Sequence, residues 1–259
     1  MNTFGLRTYY RPTQFSRISL EYHTTNEFRR GGNKFDLQPH ETDITEQTKH
    51  IINSGGLTYD VFFNEYKHKL SVYASAQHTD RNSYYGADKA ENAYGKTKDL
   101  TAVGGAMYVG NMDNCLFSPA TFTGGVEYQY NSLHDVMTGY GRDLRQDVKI
   151  ASGFVQNEWK LDYFTILAGF RLDKHNLVDN VIFSPRINTL WKPSDKFQGR
   201  LTWSTGFRAP QAYDEDLHVA AVGGEAMEVR LAEGLKPERS NSFSGSVDWS
   251  FNFGHFQSN

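Results

Sequence analysis

The most constraining feature of this chain is a period-two alternation of apolar and polar residues that recurs along nearly its whole length. In the run Phe243-Ser244-Gly245-Ser246-Val247-Asp248-Trp249-Ser250-Phe251-Asn252-Phe253, every even position is polar. The odd positions are apolar or aromatic, Gly245 excepted. Successive side chains of a strand point to opposite faces, so this pattern builds a sheet with one apolar and one polar side. Leu201, Trp203 and Phe207 alternate in the same way with Arg200, Thr202, Ser204 and Arg208. Phe164, Ile166, Ala168, Phe170 and Leu172 alternate with Thr165, Leu167, Gly169, Arg171 and Asp173. Ile18, Leu20 and Tyr22 oppose Arg17, Ser19, Glu21 and His23, and Phe122, Val126, Tyr128 and Tyr130 oppose Thr121, Thr123, Glu127 and Gln129.

Eleven strands are predicted, near 3–11, 15–30, 47–64, 68–82, 98–111, 119–135, 147–160, 162–174, 181–192, 196–209 and 239–254. They exceed the roughly 5–6 residues usual in soluble sheets. They suit tilted membrane strands of about 9–11 residues with extensions beyond the bilayer. The connections sort by side. Short ones fall at Pro12–Gln14, Glu65–Lys67, around Leu161 and at Pro193–Asp195, with a longer one from Met112 to Ser118. Long ones fall at Gly31–Glu46, Ser83–Thr97, Val136–Gln146, His175–Asn180 and Pro210–Glu238. Short periplasmic turns alternating with longer external loops are the pattern of an outer-membrane barrel, whose even strands here enter from the periplasm. A segment within 224–233 is helix-friendly and stops at Gly234.

Composition agrees once the barrel is considered. A hydrophobic share of 38% and a mean hydropathy of −0.61 look like a polar soluble protein, yet aromatics reach 14%. A barrel reconciles them, because only alternate residues face lipid and aromatic girdles mark both interfaces. The net charge of −3 argues against nucleic-acid binding. No apolar run is long enough for a transmembrane helix. The lone Cys115 excludes a disulfide framework. The start shows no basic-then-apolar leader, so the chain reads as a piece of a longer protein.

The segment from Ser204 through Gly206-Phe207-Arg208-Ala209-Pro210 to His218, followed by Leu235-Lys236-Pro237-Glu238, resembles the barrel of TonB-dependent outer-membrane receptors. Ser184-Pro185-Arg186-Ile187 and Phe154-Val155-Gln156-Asn157-Glu158-Trp159 are similar to its preceding strands. The Ala209–His218 version resembles receptors of the Bacteroidetes branch. The resemblance implies an all-β, antiparallel up-and-down transmembrane barrel in the outer membrane of a Gram-negative cell. Its full complement is about twenty-two strands, of which residues 1–259 supply eleven as part of a single barrel domain. The plug domain and the barrel closure are expected outside this stretch. Such receptors import scarce nutrients with energy from TonB. The implied ligand is a metal chelate (ferric siderophore, haem or cobalamin), with an oligosaccharide as an alternative. The implied partners are lipid, the receptor's own plug, TonB and a small-molecule nutrient.

Independently of the resemblance, Asp214, Glu215, Asp216 and His218 form the densest ligand-like cluster, suited to a divalent metal or a metal chelate. The simpler reading, a loop capping its own turns and pairing with Arg208 and Arg230, is favoured over a metal site. Arg7, Arg17, Glu21, Glu127, Arg171, Asp173, Arg186, Arg200, Arg208 and Asp248 are predicted to face the lumen. There they would contact the plug, steer ligand or pair with each other across strands. The loop aromatics Tyr84, Tyr85, Tyr94, Tyr140 and Tyr213 could stack on a ligand or anchor at the membrane interface. Gly104-Gly105 and Gly124-Gly125 lie in mid-strand and mark bends or close packing. The histidines lack zinc-site spacing, and Gly139-Tyr140-Gly141 lacks the setting of a nucleotide loop. No cofactor and no enzymatic activity are expected. The competing readings are a passive pore or adhesin, and a barrel hydrolase using His218 with Asp214.

Overall fold

The computed structural model describes residues 1–210, 234, 236–253 and 256–258. The alternating segments assemble into one 11-stranded sheet in which each strand pairs only with its sequence neighbours, always antiparallel. The strands are β1 (Asn2–Thr13), β2 (Ser16–Gly32), β3 (Ile44–Phe63), β4 (His68–Ala87), β5 (Tyr94–Cys115), β6 (Ser118–Met137), β7 (Arg142–Lys160), β8 (Phe164–His175), β9 (Ile182–Ser194), β10 (Phe197–Arg208) and β11 (Glu238–Trp249). A separate hairpin pairs β12 (Phe251–Phe253) with β13 (Phe256–Ser258). Among the described residues, no helix is long and apolar enough to cross a membrane.

Register keeps the two faces apart across the sheet. One row runs Leu57, Ala74, Gly104, Tyr128, Ala151 on β3 to β7. The row one residue along runs Thr58, Tyr73, Gly105, Glu127, Ser152 and Asp173 on β3 to β8. The first face carries the large exposed apolar side chains, among them Leu57, Val72, Val126, Phe170, Leu201 and Val247. In water such a surface would aggregate, whereas in a bilayer it meets lipid tails. The second face carries the charges and hydroxyls. Near the short-turn ends the outward face is banded by aromatics. Phe63, His68 and Tyr108 stack, and Trp191 packs against both Phe164 and Phe197. Such a belt sits at a membrane interface.

Four boundaries differ most from expectation, each for a local reason. The loop expected at Ser83–Thr97 shrinks to residues 88–93, because Ser83 still pairs with Gly95 and Tyr84 with Tyr94. The connection expected at Met112–Ser118 is a tight turn. β5 runs to Cys115 and β6 starts at Ser118, with Leu116 in the left-handed region at φ 69. The loop expected at Val136–Gln146 shrinks to residues 138–141, because Val136 still pairs with Asp143 and Met137 with Arg142. An ion pair of 2.7 Å from Arg142 to Asp135 clamps that hairpin, and Gly141 closes it at φ 64. The last strand stops at Trp249, which faces Phe197, the first residue of β10. One more bond, Ser250 N–H to the Lys196 carbonyl at 2.7 Å, ends the ladder. With no partner beyond it, the chain turns into the β12–β13 hairpin. The helix-friendly segment at 224–233 lies outside the described residues.

Candidate functional site: the polar inner face

Among the described residues, three cross-strand networks stand out on the polar face. The central one is built on the row through Tyr73, Gly105, Glu127, Ser152 and Asp173. The Tyr73 hydroxyl donates to Glu127 at 2.7 Å, and Arg171 Nη2 donates to the other Glu127 oxygen at 2.8 Å. Arg171 Nε reaches Asp173 at 2.7 Å, and Asp173 also accepts from Ser152 at 2.6 Å. The Arg171 guanidinium lies 5.9 Å from the centre of the Phe154 ring. Two glycines make this possible. A Cβ on Gly105 would meet the Tyr73 hydroxyl at 2.7 Å, so Tyr73 lies across the space that glycine leaves and reaches Glu127 two strands away. A Cβ on Gly125 would meet the Phe154 ring at 2.7 Å. Gly105 and Gly125 are therefore seats for aromatic rings, a close packing that mid-strand glycines permit.

Nearer the periplasmic turns, Asp60 is almost fully buried and takes three donors. Arg17 reaches it at 2.9 Å, Lys69 at 3.0 Å and Ser71 at 2.7 Å. Nearer the external rim, Asp135 is buried with Arg81 and Arg142 and accepts a short hydrogen bond from Thr97. A buried charge is tolerated only when paired and hydrogen-bonded, and each of these carboxylates is. Asp60, Lys69, Tyr73, Arg81, Asp135 and Arg142 are inner-face residues that the sequence reading missed. Strand phase extended through β3 to β7 finds them.

The expected lumen-facing residues Glu127, Arg171, Asp173, Arg186, Arg200 and Arg208 all fall on this one face. The structure joins the first three in one network. Arg186, Arg200 and Arg208 stand exposed on β9 and β10. Neither Arg186 nor Arg200 has an ion-pair partner among the described residues. Arg7 lies 4.0 Å from Glu21, and Asp248 accepts from Gln198 at 2.7 Å.

At the rim, Tyr84 is fully buried and its hydroxyl donates to the Ala90 carbonyl at 3.0 Å. Tyr94 packs edge-on against it. Tyr85 is buried against Met137, and Tyr140 donates to the Tyr85 carbonyl at 2.6 Å. These rings, expected to stack on a ligand or anchor at the membrane interface, link the β4–β5 and β6–β7 connections. Tyr84 and Tyr85 are buried within the rim, Tyr140 is partly exposed and Tyr94 is exposed. On β10 the motif residues Gly206 and Arg208 take the inner phase and Phe207 the outer. Ala209 is buried against Val178 and Ile182, with Phe207 packed beside them. Pro210 follows the strand, and Lys236-Pro237 precedes β11, which begins at Glu238. Tyr213, Asp214, Glu215, Asp216, His218 and Leu235 lie outside the described residues. Among the described residues, no group of His, Cys, Asp or Glu is gathered as a metal site.

An antiparallel sheet that is apolar outside and networked inside, with an aromatic belt, matches a known family over residues 2–259, described as TonB-dependent receptor-like β-barrel. The chain belongs to that TonB-dependent receptor family. Members are Gram-negative outer-membrane transport receptors rather than enzymes, and this barrel wall resides in that membrane. The fold agrees with solved receptors. The siderophore receptor PirA of Pseudomonas aeruginosa superposes with a TM-score of 0.72 at 16% identity, covering 98% of this chain and 44% of that one. PirA of Acinetobacter baumannii gives 0.70 at 14%, over 97% and 41%. The FrpB iron transporter of Neisseria meningitidis gives 0.67 at 15%, over 97% and 42%. This TonB-dependent wall thus spans less than half the length of those receptors. No curated protein matches its sequence.

Proposed function

We propose that the protein containing this wall imports an anionic ferric chelate of the siderophore class, driven by TonB. The observation that carries this is the stair of exposed guanidiniums on the inner face. Arg186 pairs across to Ser204, midway between Arg200 and Arg208 on β10. The three therefore sit about 13 Å apart in height. A file of cations under the rim attracts an anion and hands it inward, and field focusing in a narrow lumen strengthens the effect. The solved structures of similar fold include siderophore and iron receptors, which supports the same ligand class. In this reading Tyr213, Asp214, Glu215, Asp216 and His218 contact the chelate from the external loop. Glu127, Arg171 and Asp173 give a plug domain of the same protein a fixed polar wall to slide against.

The test is uptake of radiolabelled ferric siderophores, haem, cobalamin and labelled oligosaccharides by cells carrying the full-length receptor. Ferric siderophore uptake is expected. It should fall about tenfold when Arg186 and Arg200 are both changed to Gln. Uptake confined to cobalamin or oligosaccharide would overturn the proposal, as would siderophore uptake indifferent to the two arginines.

A further inference from the structure

We propose that the outward face of β2 to β6 holds one lipid with several acyl chains and a phosphate-bearing headgroup, as a defined site in the outer leaflet. Two independent features of that face meet there. The first is a groove. Most outward positions of the sheet carry bulky side chains, but Gly55, Ala74, Ala76, Ala102 and Gly104 form a floor of small residues across β3, β4 and β5. Tyr22 of β2 walls one side, and Tyr128 and Tyr130 of β6 wall the other. The groove encloses about 620 Å³. Its walls stand four strand spacings apart, about 19 Å. That width takes several acyl chains side by side, where a single chain would leave most of the floor uncovered.

The second feature is charge. Above the groove, past one outward row through Asn53, His78, Leu100, Ser132 and Asp147, the rows toward the external rim turn cationic. Lys98 lies in the row Ile51, Asp80, Lys98, His134, Arg145, and Lys49 and Lys96 lie in the next row up. Lys149 stands beside Tyr130 at the groove's upper corner. Carboxylates share this surface, and most have nearby partners. Asp143 is held by His134 at 2.9 Å and by Arg145 at 3.6 Å, and Asp147 accepts from Tyr130 at 3.3 Å. Asp80 lies 3.6 Å from His78. Lys49, Lys96, Lys98 and Lys149 are exposed and have no ion-pair partner among the described residues.

Lys149 is level with the top row of the groove, Lys98 stands four strand residues above that row, and Lys49 and Lys96 stand six above it. That placement matches an amphiphile whose anion sits outside its chains. A lysine near a membrane surface favours anionic headgroups, and tyrosines at the same level are suited to the interface. A zwitterionic or neutral lipid would fill the groove and leave the lysines unanswered.

The experiment uses the full-length receptor in detergent, probed by native mass spectrometry. The probes are bisphosphorylated lipid A, the same glycolipid with its phosphates removed, and inorganic phosphate. The wild-type protein is expected to retain the phosphorylated lipid through delipidation. Changing Lys96 and Lys98 to Gln should lower that retention about tenfold and abolish the preference over the dephosphorylated form. Ala76→Phe, which fills the groove, should lower retention of both lipids. Lys192→Gln, at the opposite end of the sheet, serves as the control and should change nothing. Three results would each overturn the proposal: equal retention of phosphorylated and dephosphorylated lipid by the wild type, retention unaffected by both the charge and the groove variants, or inorganic phosphate competing as well as the lipid.

Discussion

At the level of single residues, the inner face shows how a glycine and a tyrosine become one functional part. Gly105 exists to leave room, since a Cβ there would collide with the Tyr73 hydroxyl. Tyr73 in turn holds Glu127 for Arg171. Gly105→Val is therefore expected to lift the tyrosine off Glu127 and destabilise the barrel by about 1–3 kcal/mol, the cost of leaving a half-buried polar group unpaired. Equilibrium urea unfolding in lipid vesicles measures it. Tyr73→Phe should cost less and be non-additive with Gly105→Val, because both remove the same bond. Asp43, between β2 and β3, gives a pH prediction. Lys34 donates to it at 2.9 Å and Asn33 at 3.0 Å, and these bonds, the lysine foremost, hold its carboxyl below the usual range. A depressed folded pKa means the stabilisation is present above the ordinary carboxylate pKa and is lost as pH falls through the folded value. Amide exchange in residues 33–43 should therefore quicken on acidification into that range, and Asp43→Asn should remove the pH dependence. Exchange rates that ignore both changes would mean that Asp43 does not latch this loop. The Glu127, Arg171 and Asp173 phase could be read from alternation, but their mutual bonds could not, since strand phase says nothing about which neighbour a side chain reaches.

At the level of strands, two faces of one element should answer the same mutation differently. Leu201 lies on the apolar outward face and Thr202 on the inner face of β10. Leu201→Arg places a guanidinium against lipid tails and is expected to cost about 2–4 kcal/mol near the bilayer middle. Thr202→Arg projects into a polar lumen and should cost well under half of that. Comparable costs from folding titrations in vesicles would contradict this assignment of the two faces. Strand ends were less legible than strand centres, for a reason visible at β6–β7. The sequence around 136–146 is polar enough to read as a loop, yet Arg142 bonds Asp135 across the hairpin and pairing continues to Met137. Conversely, β11 stops at Trp249 although alternation continues to Phe253, because β10 offers nothing to pair with beyond Phe197. Alternation reports which face a residue prefers, while strand length depends on the neighbouring strand.

For the whole molecule, active import and passive permeation make opposite predictions. If the receptor works as proposed, abolishing TonB stops siderophore uptake in cells that express it, whereas a passive pore would continue to admit ligand down its gradient. The sheet itself sets a rule for closure. Ten antiparallel steps leave β1 and β11 running in the same direction. An antiparallel barrel that includes this wall needs an odd number of further strands, and two copies of the wall alone would meet in parallel. The sequence by itself determined the strand-built architecture, the number of strands in the sheet and which side of each strand meets lipid, because period-two burial is a local property written residue by residue. The tertiary structure alone decided that Tyr84 and Tyr85 lock the rim and that Asp60 and Asp135 anchor buried networks. It also decided that small residues from three strands line up as a groove beneath unpaired lysines. Those depend on register, which brings together residues far apart in the chain, and alternation within one strand is blind to it.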